Sequence, residues 1–306
     1  MTQEKPPLAE ADRRLLMAAL TGDAAAVEQW LPQANAHCET DEGKTALMLA
    51  TQGNHAECVR LLLPRSSVDQ VDADGWTALH AAAFYGHSKC MTILLESANP
   101  NKRDPAGRTP LMEAAHFARP DCVALLAEKT DAKIQSEAGE TALMEAAGSG
   151  CIESVRILAP LSDPFAKDSD GRTALMLACS AGRGQHAEER VACVERLALI
   201  SNPLALSRDG RTAFARAVEN DLWECADALA AISPRAEVEA AYARLAKLMA
   251  HDSPFQSNPM PRWRAQLEAE QMREAIDGSG QKAAPESSAS AAPGESATSA
   301  PPSRRL

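Results

Sequence analysis

GWTALHAAAFYGHSKCMTILL, Gly75 to Leu95, reads as two short helices folded about a turn. A polar turn ending at Gly75 leads to Thr77, a residue suited to capping a helix. The Ala-rich run after it is small enough for neighbouring elements to approach closely. Gly86 breaks that run, and a second helix follows with Met91 and Leu94 on one face. The opening of this stretch recurs along the chain as Thr45-Ala-Leu-Met, Thr109-Pro-Leu-Met, Thr141-Ala-Leu-Met, Thr173-Ala-Leu-Met and Thr212-Ala-Phe-Ala. The glycines that precede the six copies are Gly43, Gly75, Gly107, Gly139, Gly171 and Gly210. They are spaced 32, 32, 32, 32 and 39 residues apart.

The second helices repeat as well, in Val59/Leu62, Met91/Leu94, Val123/Leu126 and Val155/Leu158. Asn54, Gly86, Gly150 and Gly182 mark the turn between the two helices of a unit. No unit carries enough apolar surface to fold alone, so stacked units must share one core.

The pattern resembles the ankyrin repeat, over roughly residues 12 to 232, and most of all a bacterial subtype whose units carry TALM and ECVRLLL. The resemblance implies an all-α solenoid of about six helix-turn-helix repeats with capping helices at both ends. Two departures stand out. The period is one residue short of the family's roughly 33, because the glycine after the second helix is missing. Ser67, Asn99, Asp131, Asp163 and Asn202 stand in that region. The family's histidine in T-P-L-H survives only at His80. Met48, Met112, Met144 and Met176 replace it elsewhere, so apolar packing must substitute for imidazole hydrogen bonds.

The expected organisation is a disordered start (1–11), then an array from 12 to 232. The array comprises an N-cap (12–39) and repeats near 40–71, 72–103, 104–135, 136–167, 168–206 and 207–232. C-terminal helices follow over 233–276, with Ser233-Pro234 opening a cap helix along Val238, Tyr242, Leu245 and Met249. A further helix near 262–276 carries Trp263, Leu267 and Ile276. The tail, 277–306, is rich in Ala, Ser, Pro and Gly and is expected to stay disordered. Seven extra residues lie between Gly182 and Val194. They suggest either one added turn on each helix of the fifth repeat or a polar rim loop, tolerated or specific to a partner.

Apolar residues make up 45% of the chain and its net charge is −11. The acidic balance argues against nucleic acid and anionic membrane surfaces. No run reaches the ~18 apolar residues of a membrane span, and no secretory leader is evident, so a cytoplasmic monomer is expected. Cys58, Cys90 and Cys122 fall 32 apart, as do Cys193 and Cys225, with Ser154 in the same slot. Neighbouring slots in a stack lie about 8–10 Å apart, too far for a disulfide. They read as small buried thiols. Cys179, His186 and Cys193 flank the insertion without a ligand spacing, so no metal and no cofactor is expected.

Family resemblance also implies where binding occurs, through the turn fingers and the exposed side of the first helices. The slots after the glycines hold Lys44, Trp76, Arg108, Glu140, Arg172 and Arg211. The pairs before the second turn include Phe84-Tyr85, His116-Phe117 and Gly148-Ser149. The partner-binding candidates are therefore Trp76, Phe84, Tyr85, Arg108, His116, Phe117, Arg172 and Arg211. In a chain only 4% aromatic, this clustering has the composition of a binding hot spot. Inward packing of Phe84 or Phe117 is the alternative. The arginines extend a basic line that suits an acidic partner surface or simply forms a solvated charge row.

No phosphate loop, H-E-x-x-H or G-x-S-x-G occurs. His55, His80 and His87 sit in structural slots, and Asp168/Asp170 in a turn. The expected function is protein–protein interaction without catalysis. Two variants of it stay open, a secreted effector acting on a host protein and an immunity protein that occludes a toxic enzyme.

Overall fold

The computed structural model describes residues 8–180 and 187–240, and Ala269. Among these the chain forms helices and turns, with one isolated bridge between Glu39 and Thr45. The helices come in pairs. They are α1 (Glu10–Thr21) with α2 (Ala24–Trp30), α3 (Ala46–Gln52) with α4 (Ala56–Leu62), and α5 (Ala78–Tyr85) with α6 (Ser88–Leu94). Next come α7 (Pro110–His116) with α8 (Pro120–Ala127), and α9 (Ala142–Ser149) with α10 (Ile152–Leu158). Then follow α11 (Ala174–Ala178) with α12 (Ala187–Ala198), and α13 (Ala213–Glu219) with α14 (Trp223–Ala230). Odd-numbered helices pack on the odd-numbered helices of the adjoining pairs, and even-numbered on even, giving a two-layer all-α solenoid.

The core lies between the layers. From α3/α4 onward each pair gives it the apolar residue of its TAL-type motif and the last Leu of the second helix. Leu79/Leu94, Leu111/Leu126, Leu143/Leu158 and Leu175/Leu197 are each at most 1% exposed. Phe214 takes the leucine's place in α13 and is equally buried. The cysteine slot is buried throughout, Ser154 included, and all eight cysteines are free thiols. Burial pushes Cys90 and Cys122 up to about 11 and Cys193 up to about 12, which keeps them protonated and unreactive.

Threonine starts the first helices. Thr45, Thr77, Thr109, Thr141 and Thr212 each accept a hydrogen bond from the backbone N–H three residues on. Before each threonine, a tight finger is closed on both sides of a glycine. In one of them, Asp104 N–H donates to Arg108 O at 2.9 Å, and Gly107 N–H donates back to Asp104 O at 2.9 Å. Gly107 has φ +76°, which a side chain would strain. Successive fingers are stitched together by backbone bonds from Ala73, Glu137, Ser169 and Arg208 to the carbonyls of Glu42, Ala106, Ala138 and Asp170. Pro105 occupies the corresponding donor position between the α5 and α7 fingers and has no N–H to give.

A second ladder caps the C-terminal ends of the first helices, whose last carbonyls have no intrahelical partner. His55 reaches Leu20 O, His87 reaches Gln52 O, Arg119 reaches Phe84 O, and Asn220 reaches Cys179 O. Arg190 bridges two ends, at Ala178 O and Gly148 O. The shortened period also has its reason. Asn99, Asp131, Asp163 and Asn202 each accept from the N–H two residues on, so an Asx turn replaces the missing glycine.

In the six helix pairs whose inner turn is described, that turn uses a left-handed residue. Gly22, Gly86 and Gly150 supply it without strain, whereas Asn54, Ala118 and Asp221 adopt it with side chains. Alanine gains no local hydrogen bond in return for the steric cost. Ala118→Gly is therefore expected to stabilise the protein by roughly 0.5–1 kcal/mol, after the entropy lost by glycine on folding is subtracted. Urea unfolding of the variant checks this.

The array starts slightly earlier than the sequence suggests. The first helix begins at Glu10, inside the stretch expected to be disordered, because Ala9 O accepts from Arg13 N–H and starts the turn. Of the two readings of the insertion, the described residues bear only on the helix lengths. α12 has 12 residues against 7 in α10, but α11 has only 5. Residues 181–186, with His186, lie outside the described residues, as do Tyr242, Leu245, Met249, the 262–276 segment apart from Ala269, and the tail. Residues 235–240 are helical and Val238 is buried.

Candidate functional site

The finger chemistry places the residue after each glycine. Asp72 Oδ1 accepts from Trp76 N–H and Asp104 Oδ1 from Arg108 N–H, both at 2.8 Å, and Asp168 holds Arg172 in the same way. These side chains therefore leave the finger from a fixed backbone: Trp76 meets Phe84 near the end of α5, Arg108 meets acids of α7 and α9, and Arg172 stays on its own finger. His80 strengthens the arrangement from behind. Its buried ring accepts from Thr77 N–H at Nδ1, so Nε2 carries the proton and donates to Arg108 O at 3.3 Å. Burial holds this histidine below its usual range, consistent with a neutral ring. Where methionine replaces it, Met48 Sδ lies 3.5 Å from Thr45 N, a much weaker contact.

Trp76, Phe84, Tyr85, His116 and Phe117 come together. Ring centroids of Trp76 and Phe84 lie 5.3 Å apart, those of Phe84 and Phe117 4.3 Å, and those of Phe84 and Tyr85 4.8 Å. His116 sits 4.7 Å from Phe117, edge-on. The cluster lies outside the interlayer core, which Leu79, Ala82, Ile93 and Leu94 fill. Trp76, Phe84 and Phe117 are half-buried against one another, Tyr85 is 43% exposed, and His116 is exposed. The rings thus hold each other in place and keep an open apolar surface at the boundary of α5 and α7.

The three arginines are arranged differently from a basic row. Arg108 pairs with Glu113 at 2.6 Å and Glu145 at 3.2 Å. Arg172 pairs with Asp168 at 2.6 Å and Asp170 at 3.3 Å. Arg211 pairs with Asp209 at 3.3 Å and Glu219 at 3.2 Å. Each cation is offset by two carboxylates of its own chain, so the line of positive charge read from the sequence is cancelled within the protein.

What sequence reading overlooked is the acid beneath it. Glu113 and Glu145 lie 32 residues apart in a slot that Leu49, Ala81 and Leu177 fill with apolar side chains. That substitution of acid for hydrocarbon was the available signal. Both are buried, and burial lifts Glu113 above the usual carboxylate range. Glu145 accepts from His116 Nδ1 at 2.7 Å. That bond raises the histidine, so the charged pair stabilises fully below the ordinary histidine range and fades as pH rises through the raised value. Glu140, the finger residue between Arg108 and Arg172, makes no ion pair among the described residues. Burial and the nearby Glu145 raise it. His116, Glu140, Met144, Glu145, Gly148, Ser149 and Leu177 line a recess of about 230 Å³ beside the aromatic cluster.

Among the described residues no group of three or more histidine, cysteine or acidic side chains is placed to hold a metal, and no helix is long and apolar enough to cross a membrane. No match was found among curated proteins. A family model for ankyrin repeats, in three copies, matches residues 15–104 and again 96–168, together half of the chain. With the stitched fingers and the two helix layers already in place, that match settles the family: the chain belongs to the ankyrin-repeat proteins.

Proposed function

We propose that this protein binds a partner protein through the face made by its fingers and first helices, centred on Trp76, Phe84, Tyr85 and Phe117, and performs no catalysis of its own. Ankyrin repeats are generally protein–protein interaction modules, and the family is typically non-catalytic. The observation that carries the reading is the aromatic cluster. Four large rings lie on one face, in contact with each other and outside the core. Preorganised aromatic side chains of this kind lose little entropy on binding and supply most of the energy at interaction hot spots. Arg108, His116, Arg172 and Arg211 then belong to the polar rim. Their charges are already paired, so they contribute orientation more than attraction.

Affinity capture on the wild-type chain, compared with a Trp76→Ala, Tyr85→Ala, Phe117→Ala variant of matched thermal stability, tests the reading. A partner retained by wild type alone supports it. A partner retained equally by both moves the binding surface elsewhere. Whether the partner belongs to the same cell, as for a cytoplasmic adaptor or an immunity protein, or to a host, as for a secreted effector, follows from the identity of what is captured.

A further inference from the structure

The recess next to the aromatic cluster has a local cause. Position 148 in α9 corresponds to Phe84 in α5 and His116 in α7. Glycine there leaves a gap, and a Cβ built on it would meet nothing within 4 Å. The helix could accept a side chain at that position and lacks one. Around the gap one carboxylate, Glu140, is left without an ion-pair partner among the described residues. Glu113 and Glu145 share one arginine, Arg108, while Arg172 is taken by Asp168 and Asp170. Glu140 faces the recess within reach of the Arg108 and Arg172 fields but bonded to neither. His116 is committed to Glu145. The recess therefore combines one carboxylate without a cation of its own, Glu140, a hydroxyl at Ser149, an aliphatic wall from Met144 and Leu177, and aromatic rings on the side toward α7.

We propose that this recess receives a lysine or arginine side chain of the protein partner, whose neighbouring apolar side chain sits on the Trp76–Phe84–Phe117 surface. The inference rests on the reading that partners bind this face. A long cationic side chain fits the chemistry on every side. Its methylene stem lies along Met144 and Leu177, and its head meets Glu140 and Glu145. The cation also relieves the repulsion between these two carboxylates. The chain's net charge of −11 favours encounter with a basic segment at low salt. An acidic partner, which the arginines suggest when read from sequence, would meet cations that are already neutralised and a carboxylate that is not.

The test is selection of a random-peptide phage library on the immobilised full-length chain, with each selected peptide then measured against the triple aromatic variant. The expected peptides lose binding to that variant and are enriched in Lys or Arg beside an apolar residue. Two substitutions then separate charge from shape. Glu140→Gln removes the unpaired carboxylate without breaking an ion pair, and Gly148→Leu fills the recess without changing its charge. Each is expected to weaken a synthetic selected peptide about tenfold or more while leaving the melting temperature near that of wild type. Aromatic-dependent peptides without basic enrichment, or basic peptides indifferent to both substitutions, overturn the cation site and leave the aromatic surface standing. Peptides that bind the triple variant as well as wild type, or a selection that returns none, overturn both.

Discussion

Arg108→Ala is expected to destabilise the protein by about 3–5 kcal/mol at neutral pH. The arginine is 22% exposed, while the carboxylates it holds, Glu113 and Glu145, are 4% and 10% exposed. Truncation removes the more exposed cation and leaves two largely buried acids. His116 remains on Glu145, so the deeper penalty falls on Glu113. Burial already raises Glu113, and loss of Arg108 raises it further. A raised carboxyl keeps its proton in the folded state at pH values where the unfolded chain has lost it. Stability from that proton is present in acid and disappears as pH rises through the folded value. The difference between variant and wild type should thus be largest at neutral pH and shrink toward the ordinary carboxylate range. Glu113→Gln in the Arg108→Ala background should recover a large part of the loss, because the buried charge is then gone. Urea unfolding at two pH values measures all of this. A loss under about 1 kcal/mol, insensitive to pH, would mean that the pair is solvated.

The combined Trp76→Ala, Tyr85→Ala, Phe117→Ala variant is expected to bind its partner at least about 100-fold more weakly. Single truncations at hot spots typically cost upward of 2 kcal/mol, and the three will not add, because Phe84 touches all three rings. Removing Trp76 or Phe117 also frees Phe84 to turn, so part of the loss is lost order in the unbound face. Tyr85→Ala alone separates the two effects. Its ring is exposed and abuts Phe84 edge-on, and its loss should weaken binding with little change in melting temperature. A partner that ignores all three truncations would leave the rings a purely structural role.

The fold was legible in the sequence because its determinants are local and repeat in register. Each TAL motif buries its own leucine, all but the one at Thr173 cap their own helix, and each finger glycine sits before its motif. The loss of one residue per repeat was visible too, though not the Asx turn that replaces the glycine, since Asn99 and Asp163 could equally have been solvated loop residues. The aromatic cluster could be placed on the surface because the core slots of the same unit were already filled. The fate of the arginines could not. Arg108 meets Glu113 five residues on but Glu145 a whole repeat away, and pairing across a stack depends on side-chain reach that periodicity does not encode. Buried acids at 113 and 145 were the visible clue, since no first helix needs a carboxylate on its inner face. Pro105 carries a similar lesson. Its place in the donor series becomes meaningful only when the fingers are seen to bond in sequence.

A photo-reactive amino acid placed at Tyr85, on α5, and separately at the exposed Lys89, on α6, reports most directly whether the first-helix face is the binding face. Irradiation in the source cell's lysate should yield a covalent adduct with one partner from position 85 and none from position 89. An adduct from position 89 without one from position 85 would place the partner on the second helices and contradict the binding mode described above.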